Sequence, residues 1–273
     1  MKRVQLFEFE DFSWFPSWLR SSMTNLIVVL QKMMGTNHVI ASHVSKILKD
    51  NNISSIVDLG SGSGGIMPNV LEILRDKKEL KNCTLTMTDL YPNMSVVKRF
   101  NKANKGVVYS AKSVNATNFN SVPEGLKTMI NCFHHMPPES AKKILKSAFE
   151  NKQPLFIYEL TENKMPLLLW WIMLPISLLI LVIMTFFMTP FVRPLTWQQI
   201  VFTYLIPIIP IFYAWDGQAS LPRMYAFKDI EELVNGLSSS EYEWEWGYLK
   251  DDKGKNKGTY ILGNTINNSI PIK

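Results

Sequence analysis

Apolar positions along the chain fall into three kinds of spacing. Leu19, Met23, Leu26, Ile27, Leu30, Met33 and Met34 recur at i, i+3, i+4 and i+7, so this stretch predicts a helix with one apolar stripe. Ile40, Val44, Ile47 and Leu48 predict a second helix over 39–49, closed by Asn51 and Asn52. From residue 55 onward, short β-branched runs alternate with helical stretches. Strands are predicted over 55–59, 85–88, 107–110, 128–131 and 155–159, and helices over 66–75, 94–102 and 139–149. Such alternation implies a parallel sheet with helices on both faces. Near the end, a helix around 229–236 precedes two strands, 242–248 and 259–263, joined by a Lys/Asp/Gly turn. A connection this short makes them antiparallel, since a parallel crossover takes about a dozen residues or more.

The third kind of spacing has no polar face at all. No charged residue lies between Lys164 and Arg193, and the 28 positions Met165 to Val192 would form roughly 42 Å of helix, more than a ~30 Å hydrocarbon core requires. After Arg193-Pro194 and Gln198-Gln199, a second apolar run covers Ile200 to Trp215 and ends at Asp216. At ~24 Å it is short for a span, and Pro207 and Pro210 interrupt its hydrogen bonding. Two geometries stay open, a two-span hairpin and a re-entrant one, and both return the chain to the side it left. The flanks hold nearly all the Lys and Arg and the tip only Arg193, which places the globular part in the cytoplasm. A pair of buried core helices in a soluble protein is the competing reading.

Composition supports that division. Hydrophobic residues make up 47% and charged ones 19%, but the apolar excess sits in the one block and the remainder reads as a soluble α/β domain. A net charge of +6 invites a nucleic-acid partner, yet the lysines are scattered and no nucleic-acid module is present; anionic headgroups account for the same charge. Cys83 and Cys132 give neither a disulfide framework nor zinc spacing, which fits a reducing, cytoplasm-facing compartment. Acids at Glu8, Glu10 and Asp11 interrupt the apolar core that an export signal needs. Phe7, Phe9, Phe12, Trp14, Phe15 and Trp18 interleave with those acids, a cluster suited to a lipid interface or to a cover over a ligand cleft. The expected segments are an N-terminal lid (1–37), a core (38–163), a membrane hairpin (164–216) and the core's return (217–273).

The chemistry is concentrated in Asp58-Leu59-Gly60-Ser61-Gly62-Ser63-Gly64, which follows Ile56-Val57 and precedes a helix-forming stretch. Glycines at alternate positions let the backbone turn tightly and approach a ligand closely. This layout resembles the S-adenosylmethionine loop of the class I methyltransferases. Gly60, Gly62 and Gly65 also satisfy the dinucleotide fingerprint, so the glycines alone do not choose between a methyltransferase and a nicotinamide dehydrogenase. Asp58 favours the first, because a carboxylate attracts the cationic amino group of S-adenosylmethionine and repels a pyrophosphate.

The resemblance covers about 38–160 and 225–265 and implies a Rossmann-like sheet of five parallel strands plus an antiparallel pair, with the apolar helical hairpin inserted after the fifth strand. Trp14-Phe15-Pro16, Asn131 to Pro137, Arg193 to Trp197 and Trp215-Asp216-Gly217 further resemble a bacterial subgroup with an embedded apolar insert. By that likeness Asp58, Gly60, Gly62 and Gly64 surround the methionine part of the cofactor, Asp89 holds its ribose and Leu90 packs on the adenine. Ser61, with Ser63, is where a nicotinamide dinucleotide would instead place a phosphate. Asn115-Ala116 stands where the family has an acid and a small residue facing the adenine amino group; an amide oxygen can accept the same bond. Asn131 ends the fourth strand, at the carboxyl edge where open α/β sheets bind ligands.

His134, His135 and Glu159 are the candidates for a general base, against the alternative that the histidines cap the strand and Glu159 is salt-bridged. No third ligand stands at metal spacing beside the histidines. The expectation is therefore a membrane-associated, S-adenosylmethionine-dependent methyltransferase, without metal, acting on a lipophilic acceptor such as a quinone, a lipid or an isoprenoid precursor. A membrane-associated nicotinamide oxidoreductase and a non-catalytic, cofactor-binding membrane scaffold are the alternatives. Membrane lipids are the expected partners, nucleic acid is not, and the oligomeric state stays open.

Overall fold

The computed structural model describes residues 1, 3–103 and 106–266. Seven strands form one sheet in the order β3-β2-β1-β4-β5-β7-β6. β1 (Ser55–Leu59), β2 (Thr84–Thr88), β3 (Val107–Tyr109), β4 (Leu126–Ile130) and β5 (Leu155–Glu159) run parallel. β7 (Asn256–Thr265) pairs antiparallel with β5 and with β6 (Tyr242–Lys250). This is the five-plus-two sheet expected from the sequence. The order reverses between β1 and β4, and the crevice outside their carboxyl ends is the ligand position of such sheets.

Both faces of the sheet are covered. Helices α2 (Thr36–Asp50), α3 (Met67–Arg75) and α4 (Met94–Ala103) pack on one side through Ile40, Val44, Val70, Leu71 and Val97. Helices α5 (Pro138–Glu150) and α9 (Phe227–Val234) pack on the other through Ile144, Leu145, Ile230 and Leu233. β4 begins two residues before its expected start and ends at Ile130, one short. The difference comes from Lys127, a charged residue buried in the strand, whose ammonium donates to the Gly125 carbonyl at 3.1 Å. Burial lowers its pKa to about 8.

The apolar insert follows β5 and folds into three helices, not two. They are α6 (Leu167–Met188), α7 (Trp197–Tyr204) and α8 (Ile208–Arg223), and α8 continues seven residues past Asp216. Pro207 separates α7 from α8, which meet at 84°. Helix α1 (Ser17–Met34) joins the insert. Its Leu19, Met23, Leu26 and Val29 pack with Met188, Val192, Ile209 and Tyr213, so the lid and the insert share one apolar core. Gly35, at φ 70°, ends α1 by accepting a left-handed turn that returns two carbonyl hydrogen bonds.

The opposite face of α6 has no partner among the described residues. Leu168, Ile172, Ile176, Leu179, Ile183 and Phe187 are exposed at helical spacing on one side of it. Only this helix, extended to Phe191, is long and apolar enough to cross a membrane among the described residues, with a mean hydropathy of 2.7; α7 and α8 pass the same test only as a bent pair.

Candidate functional site

The glycine loop leaves β1 and is tied down from three sides. Gly60, Gly62, Gly64 and Gly65 all have positive φ, and at Gly64 (φ 119°) a Cβ would stand 2.7 Å from the Phe100 ring. Only glycine fits there. Ser61 donates to one Asp58 carboxylate oxygen at 2.6 Å, and Thr128 of β4 donates to the other at 2.7 Å. Burial raises the Asp58 pKa to about 6 against these two hydrogen bonds. The Asp58 carboxylate thus lies beneath the loop, binding it to β4.

Asp89, at the end of β2, accepts from the Gly62 amide at 2.9 Å and from the Tyr91 amide at 2.8 Å. It therefore sits beside the loop, as expected, but part of its hydrogen-bonding capacity fixes the loop. Leu90 is exposed next to it, available to cover a planar ligand. The Val114 amide donates to the Asp89 carbonyl at 2.9 Å, which brings Asn115 and Ala116 alongside. The Asn115 side-chain oxygen accepts from the Thr117 amide and hydroxyl at 2.9 and 2.8 Å, so a ligand amino group would share it. Ala116 is half-buried against the α5 side of the core.

Beyond β4, Asn131 takes φ 53°, a strained turn for a side chain with a Cβ. Its side-chain oxygen is buried at the carboxyl edge of the sheet without a hydrogen-bond partner among the described residues. Next to it the Cys132 thiol lies 3.4 Å from the Leu59 carbonyl.

His134 and His135 have different surroundings. His134 is buried, and both oxygens of Glu159 hold it: one accepts its backbone amide at 2.9 Å, the other pairs with Nδ1 at 2.8 Å. His135 is more open and pairs through Nδ1 with Asp11 at 2.9 Å. Its Nε2 is 3.4 Å from Glu10. Glu8 and Asp11, from the N-terminal segment expected to act as a lid, both reach this edge.

Their counter-ion is Arg223, at the end of α8, which reaches Glu8 at 3.0 Å and Asp11 at 2.6 Å. Glu8 is fully buried, and burial drives its carboxyl well above the usual carboxylate range. Burial would raise Asp11 as well, but its hydrogen bonds to His135 and Arg223 prevail and hold it at about 2. Glu8 supplies the third metal-type ligand that local spacing does not show, its oxygen lying within 4.8 Å of ring nitrogens of His134 and His135. Arg223 pairs with the same carboxylate at 3.0 Å, so Glu8, the histidines and Arg223 form one cluster of charged and titratable side chains.

Asp216, of the Trp215-Asp216-Gly217 motif, accepts the Phe9 and Glu10 amides at 2.8 and 3.1 Å and so fastens the N-terminal segment to α8. Arg3 and Ser21 have no local signal in the sequence that marks them as members of this edge. Arg3 donates to the carbonyls of His134 and Arg223. Ser21 of α1 meets Ser63 of the loop at 2.8 Å, closing the helical layer over it.

No family model matches the chain, and no curated protein matches it in sequence. Solved structures do match. The plantazolicin methyltransferase BpumL in complex with SAH superposes with a TM-score of 0.51 at 13% identity, over 90% of this chain and 94% of that one. The plantazolicin methyltransferase BamL, in complex with a triazolic desmethylPZN analog and SAH, gives 0.50 at 12% identity, over 92% and 98%. Identities this low establish the likeness in fold: the chain has the Rossmann-like fold of the class I methyltransferases.

Proposed function

We propose that this protein is an S-adenosylmethionine-dependent methyltransferase whose helical layer, α1 with α6 to α8, lies against the cytoplasmic face of a membrane and whose acceptor is lipophilic. The observation that carries the reading is the glycine loop held between Asp58 and Asp89 at the carboxyl edge of a methyltransferase sheet, directly beneath a layer with an unpartnered apolar face. The unpaired Asn131 oxygen and the glycine cradle fit the cofactor's ammonium and methionine chain. When bound, S-adenosylmethionine supplies an activated methyl on a sulfonium.

The chain's own residues then have simple tasks. Gly60 to Gly64 admit the ligand to backbone contact, Asp89 and Leu90 address its nucleoside end, and the layer above excludes water. Alignment for in-line transfer supplies much of the rate enhancement in such reactions. His135, held by Asp11, is placed to accept a proton from the acceptor, while His134 is held by Glu159 as a positioning residue.

Calorimetry on the purified protein tests this directly. S-adenosylhomocysteine should bind, and Asp89→Ala should weaken it by ~1 to 3 kcal/mol, the loss typical of hydrogen bonds to a charged group. Tighter binding of a nicotinamide dinucleotide would replace this reading with the oxidoreductase, and cofactor binding with no turnover on any lipid extract would leave a scaffold.

A further inference from the structure

A cavity of about 400 Å³ lies at the foot of α6, lined by residues that follow β5, by the ends of α8 and α1 and by the start of β7. Its size falls in the roughly 300 to 1,000 Å³ range of small-molecule sites. Met34, Leu160, Met165, Leu167, Trp170 and Leu221 make part of its lining apolar, and Leu167 and the adjacent Leu168 are exposed on α6. Lys164 and Lys257 bring two ammonium groups to the same lining. Lys164 stands 4.4 Å over the Tyr248 ring and 3.4 Å from Glu162. Lys257 donates to the Met34 carbonyl at 2.7 Å and lies 3.5 Å from Asp251.

We propose that this cavity is a lipid port, holding one phosphate-headed lipid of the surrounding bilayer with its head at the Lys164 and Lys257 end and its alkyl chain leaving past Met165 and Leu167. The inference rests on the membrane part of the proposed function. An amphiphile matches a cavity lined by both apolar side chains and ammonium groups at the foot of a helix with an exposed apolar face, whereas a wholly polar ligand would leave the apolar lining wetted. Lys164 and Lys257 offer charged donors to a phosphate head, which would exchange with their present contacts to Glu162 and Asp251.

The cavity also lies next to the acceptor edge. Leu160 follows Glu159, Pro222 precedes Arg223 and Val4 follows Arg3, and the Val4 amide is bonded to the Pro222 carbonyl at 2.9 Å. The cavity and the histidine cluster thus draw on neighbouring residues of the same three segments, which makes phosphate-headed lipids the acceptor class to examine first.

The full chain in nanodiscs of phosphatidylglycerol and phosphatidylcholine, with a photoactivatable diazirine on the phosphatidylglycerol acyl chain, provides the test. Mapped adducts are expected on Met34, Leu160 or Leu221 of the inner wall as well as on the outer face at Ile172 and Ile176. Leu221→Trp, which fills the cavity, should reduce the inner adducts several-fold and leave the outer ones unchanged. Met34→Trp fills it from the opposite wall and serves if the first variant does not fold. Soluble glycerol 3-phosphate should not compete. Adducts confined to the outer face, inner adducts that persist in both folded filling variants, or full competition by glycerol 3-phosphate would overturn the port. S-adenosylhomocysteine affinity measured in the same nanodiscs keeps the two readings apart: its loss with inner adducts retained removes the methyltransferase and leaves the port.

Discussion

At the scale of single residues, Asp58 shows how one carboxylate links the loop to pH. Its folded pKa of about 6 lies above the unfolded value, so the stability it contributes is complete below about pH 4 and is lost as pH rises through about 6. Roughly two pKa units correspond to about 3 kcal/mol. Asp58→Asn keeps partners for the Ser61 and Thr128 hydroxyls without the charge, so its melting temperature should gain on the parent's as pH goes from 4 to 7. A constant difference across that range would mean that Asp58 is not buried as the structure has it. The histidines separate by their partners. His135→Ala should cut turnover by the ~10²- to 10⁴-fold typical of a general base with cofactor affinity unchanged, whereas His134→Ala should lower the melting temperature and reduce activity only with the folded fraction. Full activity per folded molecule in both would rule out histidine catalysis. The sequence named Asp58, Asp89, Asn131 and both histidines because strand-ending acids, glycines and titratable side chains mark a ligand edge. It could not show that both Asp58 oxygens and the Asn115 oxygen are held by neighbouring hydroxyls and amides, since those bonds depend on how β4 and the adjoining turns are placed.

At the scale of elements, hydrophobic spacing located every strand of the sheet and the helices against it, and the misplacements have physical causes. Lys127 hides the start of β4 because a buried lysine reads as a surface residue. Of the two prolines expected to interrupt the second apolar run, Pro207 divides it into α7 and α8 at 84°, whereas Pro210 lies in the first turn of α8, where a missing amide hydrogen costs nothing. A chain that leaves β5 in α6 and comes back in α8 to the same edge of the sheet returns to the side it left, whether α6 crosses the bilayer or α7 and α8 re-enter it. Cysteine labelling of Arg193→Cys and Lys253→Cys in intact cells checks the topology. Position 253 should react with an impermeant reagent only after the cells are opened, and carbonate washing should leave the protein in the membrane fraction. Labelling of position 253 from outside, or release of the protein by the wash, would place the exposed face of α6 against another protein surface instead of lipid.

At the scale of the whole molecule, the N-terminal segment, the glycine loop, the His134-His135 turn and the insert meet at one edge although they come from distant parts of the chain. Phe9 meets Asp216 across 207 residues, and Asp11 meets Arg223 across 212. No periodicity in a single sequence encodes such pairings, which is why the sequence does not mark Arg223 as part of this edge. Its guanidinium is the cation shared by Glu8 and Asp11, and Glu8 is buried with no hydrogen-bond donor among the described residues. Removing one partner of a buried ion pair typically costs about 3 to 5 kcal/mol, because the remaining charge stays without compensation. Arg223→Gln should therefore destabilise the detergent-solubilised protein by that order above about pH 8, where Glu8 is ionised, and by less near neutral pH, and adding Glu8→Gln should restore part of the alkaline loss, because it removes the stranded carboxylate. Chemical denaturation of the parent, both single variants and the double variant yields the coupling between the two sites. A coupling near zero would mean that Arg223 and Glu8 do not hold the N-terminal segment over the cleft, and that the closure depends instead on the Asp216 cap and the Ser21 to Ser63 contact.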